Sequence, residues 1–275
     1  MIRIDLHLHS FFSDGELSPA ELVLSLKKWG VSVAALTDHD TTDGVELFLA
    51  RCRSALIKGV VGVEVSAAYD GVLHITGYRF DLKNKALQDA LEKNRSARYK
   101  RNIHICERLR ELGFDITLEE VRLCAGSDVV GRPHIALTMV NKGYVPNINS
   151  AFERYLTRGA AAYASRPLLP PEDCIGVLRD SGGFPVLAHP LQTTPDLDDL
   201  PPVLRRLKDA GLWGMECWFP GASRSAVYRC LELAREFGLH PAAGSDFHGI
   251  GRVGKHVGVA VTEDLLPWAV LCGGL

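Results

Sequence analysis

The chain opens with apolar residues at alternate positions, Ile2, Ile4, Leu6 and Leu8, interleaved with Arg3, Asp5, His7 and His9. A period of two marks a strand with one apolar face, so its other face carries Asp5 and both imidazoles. Ser18-Pro19-Ala20-Glu21 then forms a capping box with proline at the first helical position, and Gly30 ends that helix. Val31 to Leu36 reads as a short buried strand that breaks into Thr37-Asp38-His39-Asp40. A second helix is expected from about Asp43 to Lys58, capped by Asp43 with Glu46 three residues on, and stopped by Gly59. The β-branched run Val60 to Ser66 follows, and Tyr69-Asp70-Gly71 is a hairpin turn into a strand over Val72 to Phe80 that carries His74.

From about Asn84 to Ala162 the strand signal gives way to helical patterning. Ala86 to Leu112 is a long basic helix, Thr117 to Glu120 is another capping box, and a further helix begins at Ser150. Gly131-Arg132-Pro133-His134 starts a helix with proline at its first position, which points backbone N–H groups and an arginine the same way and suits a phosphate. The strand–helix rhythm then resumes: helix Pro171 to Asp180, strand Phe184 to Ala188 ending in His189, helix Leu197 to Ala210, strand Trp213 to Phe219 and helix Ser223 to Phe237. His240 to Gly244 leads into Ser245-Asp246-Phe247-His248, and Val257 to Val261 is a last short strand. Such alternation implies an α/β fold. We expect a barrel built from residues 1–83 and 163–275, with an all-helical insertion over 84–162.

Composition narrows the class. A chain of 275 residues suits a single (β/α) barrel plus an insertion, and 47% hydrophobic with 23% charged residues is an ordinary globular balance. A net charge of −2 gives no global attraction to nucleic acid or a membrane surface, so any phosphate binding must be local. No apolar run approaches the roughly 20 residues of a membrane span, and no signal-like core precedes the first histidines, which together imply a cytoplasmic protein. The seven cysteines, Cys52, Cys106, Cys124, Cys174, Cys217, Cys230 and Cys272, occur singly, which argues against a disulfide framework or thiolate zinc cluster.

The candidate chemistry lies at the predicted strand ends: His7, His9, Asp14, His39, Glu64, His74, His189, Asp246 and His248. Two imidazoles on one strand face are half of a metal site, although an isolated HxH is equally an ordinary pair of histidines. Glu64 inside a β-branched strand either reaches water at an edge or is buried against a cation. In a barrel the strand ends gather at one rim, and nine nitrogen and oxygen ligands exceed the need of one ion and suit two or three. Asp5, Asp38 and Asp40 are candidate acceptors for imidazole N–H groups; Asp5 shares the histidine face, whereas alternation turns Asp38 and Asp40 away from His39.

The ordered motifs DLHLHS (5–10), Asp14, TDHD (37–40), VGVEVS (61–66), HITGY (74–78), AHP (188–190) and SDFH (245–248) resemble the polymerase and histidinol phosphatase (PHP) metallophosphoesterases. The similarity is strongest to the branch acting on nucleoside 3′,5′-bisphosphates, 5′-mononucleotides and 5′-phosphorylated RNA ends, which also carries a helical insertion and a GRPH motif. The resemblance implies a distorted (β/α)7 barrel and a trinuclear centre of manganese, iron or zinc. It implies that His7, His9, Glu64 and Asp246 hold one metal, Asp14, His39 and His248 a second, and Glu64, His74 and His189 a third. Glu64, Asp246 and His189 would then hold the attacking metal-bound water.

Three divalent ions against three carboxylates leave such a centre cationic, which suits a phosphate dianion and lowers the pKa of bound water from about 16 towards 7. Arg132 and His134 are candidates to grip the substrate, with Asn94, Arg95 and Arg98 beside them, although a basic helix is also an ordinary solvated face. The expected activity is release of the 5′-phosphate from small nucleotides. The alternatives are 5′–3′ exoribonuclease action on short 5′-phosphorylated RNA, histidinol phosphate hydrolysis, or a non-catalytic metal- or nucleotide-binding domain. No protein partner is implied.

Overall fold

A computed structural model of the protein describes residues 1–125, 129–219, 221–249 and 256–262. Strand β1 (Ile2–Asp5) leads through α1 (Pro19–Lys28) to β2 (Val33–Leu36), then through α2 (Val45–Ala55) to β3 (Lys58–Ser66) and back along β4 (His74–Tyr78). Helices α3 (Lys85–Glu111), α4 (Leu118–Ala125), α5 (Arg132–Asn141) and α6 (Ile148–Ala151) follow, the last running into a π-helical turn over Phe152–Leu156. The second half comprises α7 (Pro171–Asp180), β5 (Phe184–Leu187), α8 (Pro190–Thr193), α9 (Pro201–Asp209), β6 (Gly214–Trp218), α10 (Arg224–Glu236), β7 (His240–Ala243) and β8 (Val259–Val261).

Most ends follow the local chemistry. Ser18 and Glu21 form the expected capping box of α1, Asn84 caps α3 through the Leu87 N–H, and Ser223 caps α10 through the Ala226 N–H. Helix α2 departs from expectation. Gly44 rather than Asp43 is its cap, and it stops at Ala55 with Leu56 in the left-handed region at φ 61°. Gly59 lies inside β3, where an added Cβ would come within 2.9 Å of Leu49 and 3.1 Å of Cys52; the glycine lets α2 close on the strand. The helix expected from Ser150 begins at Ile148, capped by Asn147. The single helix expected over Leu197 to Ala210 is split, because Pro201 and Pro202 lack the N–H groups needed to continue the 3₁₀ turn Leu197–Asp199 into α9.

The strands form one sheet in the order β7-β6-β5-β4-β3-β2-β1-β8. Strands β1, β2 and β3 run parallel, as do β5, β6 and β7, while β4 is antiparallel to both its neighbours and β8 is antiparallel to β1. The sheet is nearly closed into a barrel. At the seam the Leu6 N–H donates to Ala243 O, the His9 N–H donates to Phe247 O, and Leu8 bridges Phe247. An added Cβ on Gly244 would lie 2.2 Å from the Cβ of His7, so only glycine permits this closure. Reversal of β4 has a consequence for chemistry: its first residue, His74, sits on the rim where the parallel strands β1, β2, β3, β5, β6 and β7 end.

Both faces of the opening strand are enclosed. Ile4 and Leu6 pack with Val33, Tyr78, Val186 and Ala243, and Asp5, His7 and His9 are also fully buried. The helical segment has its own apolar core around Ile105, Leu109, Ile135, Met139 and Leu156. Helix α3, about 40 Å long at 1.5 Å per residue, joins the two: Leu87 and Leu91 pack with the barrel strands and Ile105 and Leu109 with the helical core. Cys52, Cys106, Cys174, Cys217 and Cys230 are buried free thiols; Cys272 lies outside the described residues. No helix among the described residues is long and apolar enough to cross a membrane.

Three aspartates tie the rim together in the same way. Asp5 accepts both the N–H (2.8 Å) and the hydroxyl (2.6 Å) of Ser245, Asp38 both groups of Ser10 (2.7 and 2.6 Å), and Asp40 both groups of Ser66 (2.9 and 3.0 Å). Burial lifts the Asp5 carboxyl to about 6 against the pull of its hydrogen bonds. Asp5 also accepts the N–H groups of Gly258 and His7. Its oxygens therefore serve backbone and serine donors and no imidazole, which corrects the expected role. Asp5→Ala leaves the buried Ser245 hydroxyl and several N–H groups without an acceptor, at about 1–3 kcal/mol per unsatisfied group. The midpoint of thermal unfolding should drop by roughly 10 °C or more; an unchanged midpoint would show that the seam closes without the aspartate.

Candidate metal centre

The nine predicted ligands come from seven places along the chain and meet on one rim. His7 and His9 follow β1, Asp14 lies in the next loop, His39 follows β2, and Glu64 sits within the last turn of β3. His74 begins β4, His189 follows β5, and Asp246 and His248 follow β7. Glu64 is the hub. Its carboxylate lies 3.3 Å from His7 Nε2, 3.3 Å from His9 Nε2, 2.7 Å from His39 Nδ1, 2.9 Å from His74 Nδ1 and 3.0 Å from His189 Nε2. It is fully buried, which resolves the choice between a wet edge and a cation site against the edge.

Four overlapping groups bring ligand atoms within 4.8 Å of one another: His9, Asp14, His39 and His248; His7, His9 and Asp246; His7, Glu64 and His189; and His39, Glu64 and His74. The expected sets share most of this grouping, but His7, His9 and His39 each belong to two clusters. The donor set fits divalent cations on a structural ground. Nε2 of His7 and His9, Nδ1 of His39 and Oε2 of Glu64 are buried without a hydrogen-bond partner, although they crowd together. Buried ligand atoms that crowd together without hydrogen-bond partners suit a shared positive ion.

The electrostatics agree. Burial opposes ionisation of Glu64, but His39, His74 and His7 hold its carboxyl well below the usual range. Asp14 is likewise held low by His248 and His39 against burial, and Asp246 by His7 and His248. The imidazoles split. Burial together with His248 and His39 pushes His9 down to about 3, and burial lowers His74 to about 4 despite Glu64. Burial is outweighed at His248, which Asp14 and Asp246 lift to about 9, and at His7, which Glu216, Glu64 and Asp246 lift well above its ordinary value.

Around this cluster lies a second layer. Glu216, fully buried in β6, accepts from His7 Nδ1 at 2.7 Å and from the His189 backbone N–H at 2.6 Å. With Nδ1 as the donor, the Nε2 lone pair of His7 faces the cluster. The sequence reading passed over Glu216, although a carboxylate between Met215 and Cys217 in an apolar strand is the same signal that singled out Glu64. Asp38 acts at one remove: it accepts from Ser13 Oγ, which lies 3.4 Å from His9 Nδ1. The His248 Nδ1–H donates to Asp246 O at 2.8 Å. Three residues here have positive φ, Asp40 at 55°, His189 at 28° and Asp246 at 49°, strain of about 1–3 kcal/mol each that concentrates where the loops must aim ligands inward.

The expected substrate contacts divide. The Asn94 amide donates to Asp40 Oδ1 and Ser66 O, Arg98 donates to Asp40 Oδ2 at 2.7 Å, and Arg95 donates to Asp40 O and to Glu92. His134 is buried, and its Nδ1 accepts the Gly131 N–H as part of the α5 cap. Arg132 donates to Leu156 O and lines a cavity of about 680 Å³ together with Arg101, Arg158 and Arg166. Arg166, unremarked in the sequence because it stands alone in a loop, lies 3.5 Å from Asp40. Arg101 is buried, and among the described residues its guanidinium donates to Asn102 Oδ1; burial with Arg166, Arg98 and Arg132 nearby drives its pKa well below normal. A neighbouring cavity of about 520 Å³ opens onto Asp14, His39, His189, Asp246 and His248. His74 lines both.

Comparison with known proteins follows the same lines. Residues 5–156 match the PHP domain family. The chain is 32% identical to a 3′,5′-nucleoside bisphosphate phosphatase from Chromobacterium violaceum over 97% of its own length and 94% of that protein. It is 32% identical to a 5′-3′ exoribonuclease from Haemophilus influenzae over 90% of each. The structure of an amidohydrolase from Chromobacterium violaceum with bound sulfate and no metal superposes with a TM-score of 0.88 at 30% identity, covering 96% of this chain and 94% of that one. With a rim of converging imidazoles and carboxylates, a nearly closed mixed barrel and relatives along almost its whole length, the chain belongs to the PHP family and is a metal-dependent phosphatase of that kind.

Proposed function

We propose that the protein removes the 5′-phosphate from nucleoside 3′,5′-bisphosphates and 5′-mononucleotides. The observation that carries this reading is the adjacency of two anion-receiving spaces, the ligand cluster and the arginine cavity, which share His74 as a common wall. A substrate with two phosphates on one sugar matches that pair of sites. The name of the Chromobacterium relative points the same way.

In this reading His7, His9, Asp14, His39, Glu64, His74, His189, Asp246 and His248 hold two or three divalent ions. Such ions supply a nucleophile at neutral pH and neutralise charge on the phosphoryl oxygens. Glu216 keeps His7 in the tautomer that offers Nε2 and fixes the His189 backbone, so two ligands are oriented before any cation arrives. Asp40 compensates Arg98 and Arg166, while among the described residues no carboxylate pairs with Arg101 or Arg132. Those two guanidiniums are left to receive the second phosphate.

A second reading, stepwise 5′–3′ removal of nucleotides from short 5′-phosphorylated RNA, has support in the size of the arginine cavity and in the name of the Haemophilus relative. The same cavity would take the next phosphodiester of a strand.

Metal-loaded protein should release phosphate from adenosine 3′,5′-bisphosphate; turnover of other phosphoesters with none of this one would refute the substrate assignment. A ladder of shortened products from a 5′-phosphorylated oligoribonucleotide would favour the second reading. His39→Ala and His189→Ala should each lower bound metal and reduce kcat/KM at least about 100-fold, and survival of activity in both would remove the multinuclear assignment. Glu216→Gln should weaken metal affinity about 10- to 100-fold, measured by competition with a chelating dye, while the circular dichroism spectrum stays the same. Metal affinity should also climb from pH 6.5 to about 9, because a cation must displace the proton that His248 retains up to about 9; a flat profile would contradict that competition.

A further inference from the structure

The cavity over the ligand cluster has two unlike walls. One is made of imidazoles and carboxylates; facing it are Pro133, Ile148 and Phe152, with Asn149 and Gln192 at the margin. Cations and a phosphoryl group have no use for an apolar wall, so that wall must meet the part of the substrate beyond the phosphate. Ile148 and Phe152 stand one turn apart, both half-buried against the helical core, and the remainder of each side chain is open to the cavity. Asn149 and Gln192 are exposed and carry both donors and acceptors.

The backbone here is unusual as well. Phe152 begins the π-helical turn, whose Thr157 N–H reaches back to Phe152 O at 2.9 Å. Turns of this kind occur frequently at functional sites. The start of α5 separates the two cavities, with Arg132 lining the arginine side and Pro133 the apolar side. A leaving group that straddles this helix start presents an anion to one side and an apolar face to the other.

We infer that Phe152, flanked by Ile148 and Pro133, is the stacking platform for the planar base of the leaving nucleoside, with Asn149 and Gln192 placed to hydrogen-bond the base edge. The inference rests on the nucleotide reading above and adds the residue that distinguishes a nucleotide from a bare sugar phosphate. Stacking on an aromatic ring tolerates any base, because every base has a π face. The platform therefore sets a preference for nucleotides as a class, and the two amides adjust it between bases.

The test compares kcat/KM for adenosine 5′-monophosphate and for ribose 5-phosphate, which shares the phosphate and sugar and lacks the base. Wild-type protein should favour the nucleotide by about tenfold or more. Phe152→Ala should bring that ratio close to one by raising KM for the nucleotide, with ribose 5-phosphate unaffected, and Phe152→Trp should retain the preference. Equal losses on both substrates in Phe152→Ala, or an unchanged ratio, would overturn the inference and leave Phe152 a packing residue. Wild-type protein that handles both substrates equally would also overturn it, while the phosphatase reading stands. Turnover of neither, alongside other phosphoesters that are cleaved, would remove the nucleotide reading and this inference with it.

Discussion

One carboxylate enclosed by five imidazoles governs this molecule. Glu64 is removed from water, and alone it would be costly to ionise by several kcal/mol; its neighbours nevertheless hold it ionised. Those neighbours cannot all be protonated, because they repel one another, and the outcome is a mixture of lowered and raised imidazoles within a few ångströms. The hydrogen bonds within the cluster do not use every buried lone pair. Divalent cations do, and the rest of the fold can be understood as the apparatus that keeps these groups together before the cations arrive.

That apparatus is built from backbone as much as from side chains. Each of the three aspartate–serine clasps pins a segment that carries a candidate ligand: Ser10 follows His9, Ser66 lies two residues after Glu64, and Ser245 precedes Asp246. The aspartates are themselves close to ligands, Asp5 two residues before His7 and Asp38 and Asp40 on either side of His39. A strand end thus contributes one side chain to the cluster and the next to the neighbouring strand end. Alternation along the chain, which turns Asp38 and Asp40 away from His39, makes this division of labour possible. Loops held by short hydrogen bonds to buried carboxylates, the aspartates of the clasps and Glu216 at His189, can sustain the positive φ values at Asp40, His189 and Asp246 that free loops would relax.

Much of this was legible in the sequence, for identifiable reasons. Period-two alternation located β1, and polar residues at the ends of apolar runs marked where strands open onto the rim. What the sequence could not carry was direction and partnership. Nothing in Val72 to Phe80 states that β4 pairs antiparallel on both sides, yet that reversal brings His74 to the correct rim. Glu216 carried the same signal as Glu64 and differs in reaching a ligand rather than standing at the centre. Arg166 has no local pattern, since a loop arginine acquires meaning only when folding sets it beside Asp40. Basic residues on α3 were visible as a class, but which of them are consumed by Asp40 depends on how that helix lies across the rim.

Asp40 also explains how the two halves of the site stay in register. Its backbone N–H donates to Glu64 O, its carboxylate holds Ser66, and the same carboxylate receives Asn94 and Arg98 from α3 and lies beside Arg166 from the loop before α7. Burial opposes its ionisation, yet Arg98 and Arg166 hold its carboxyl far below the usual range. One negative charge set against two guanidiniums, with Arg101 and Arg132 nearby and no carboxylate paired to either among the described residues, leaves the arginine side positive on its own account. Since opposed charge is felt strongly over a few ångströms in a partly desolvated space, the doubly phosphorylated substrate proposed above would gain at both ends, and a substrate with one phosphate at one end only. The helix that bears Asn94 and Arg98 is anchored in both apolar cores, so the spacing between the imidazole–carboxylate cluster and the arginine side is set by the fold itself.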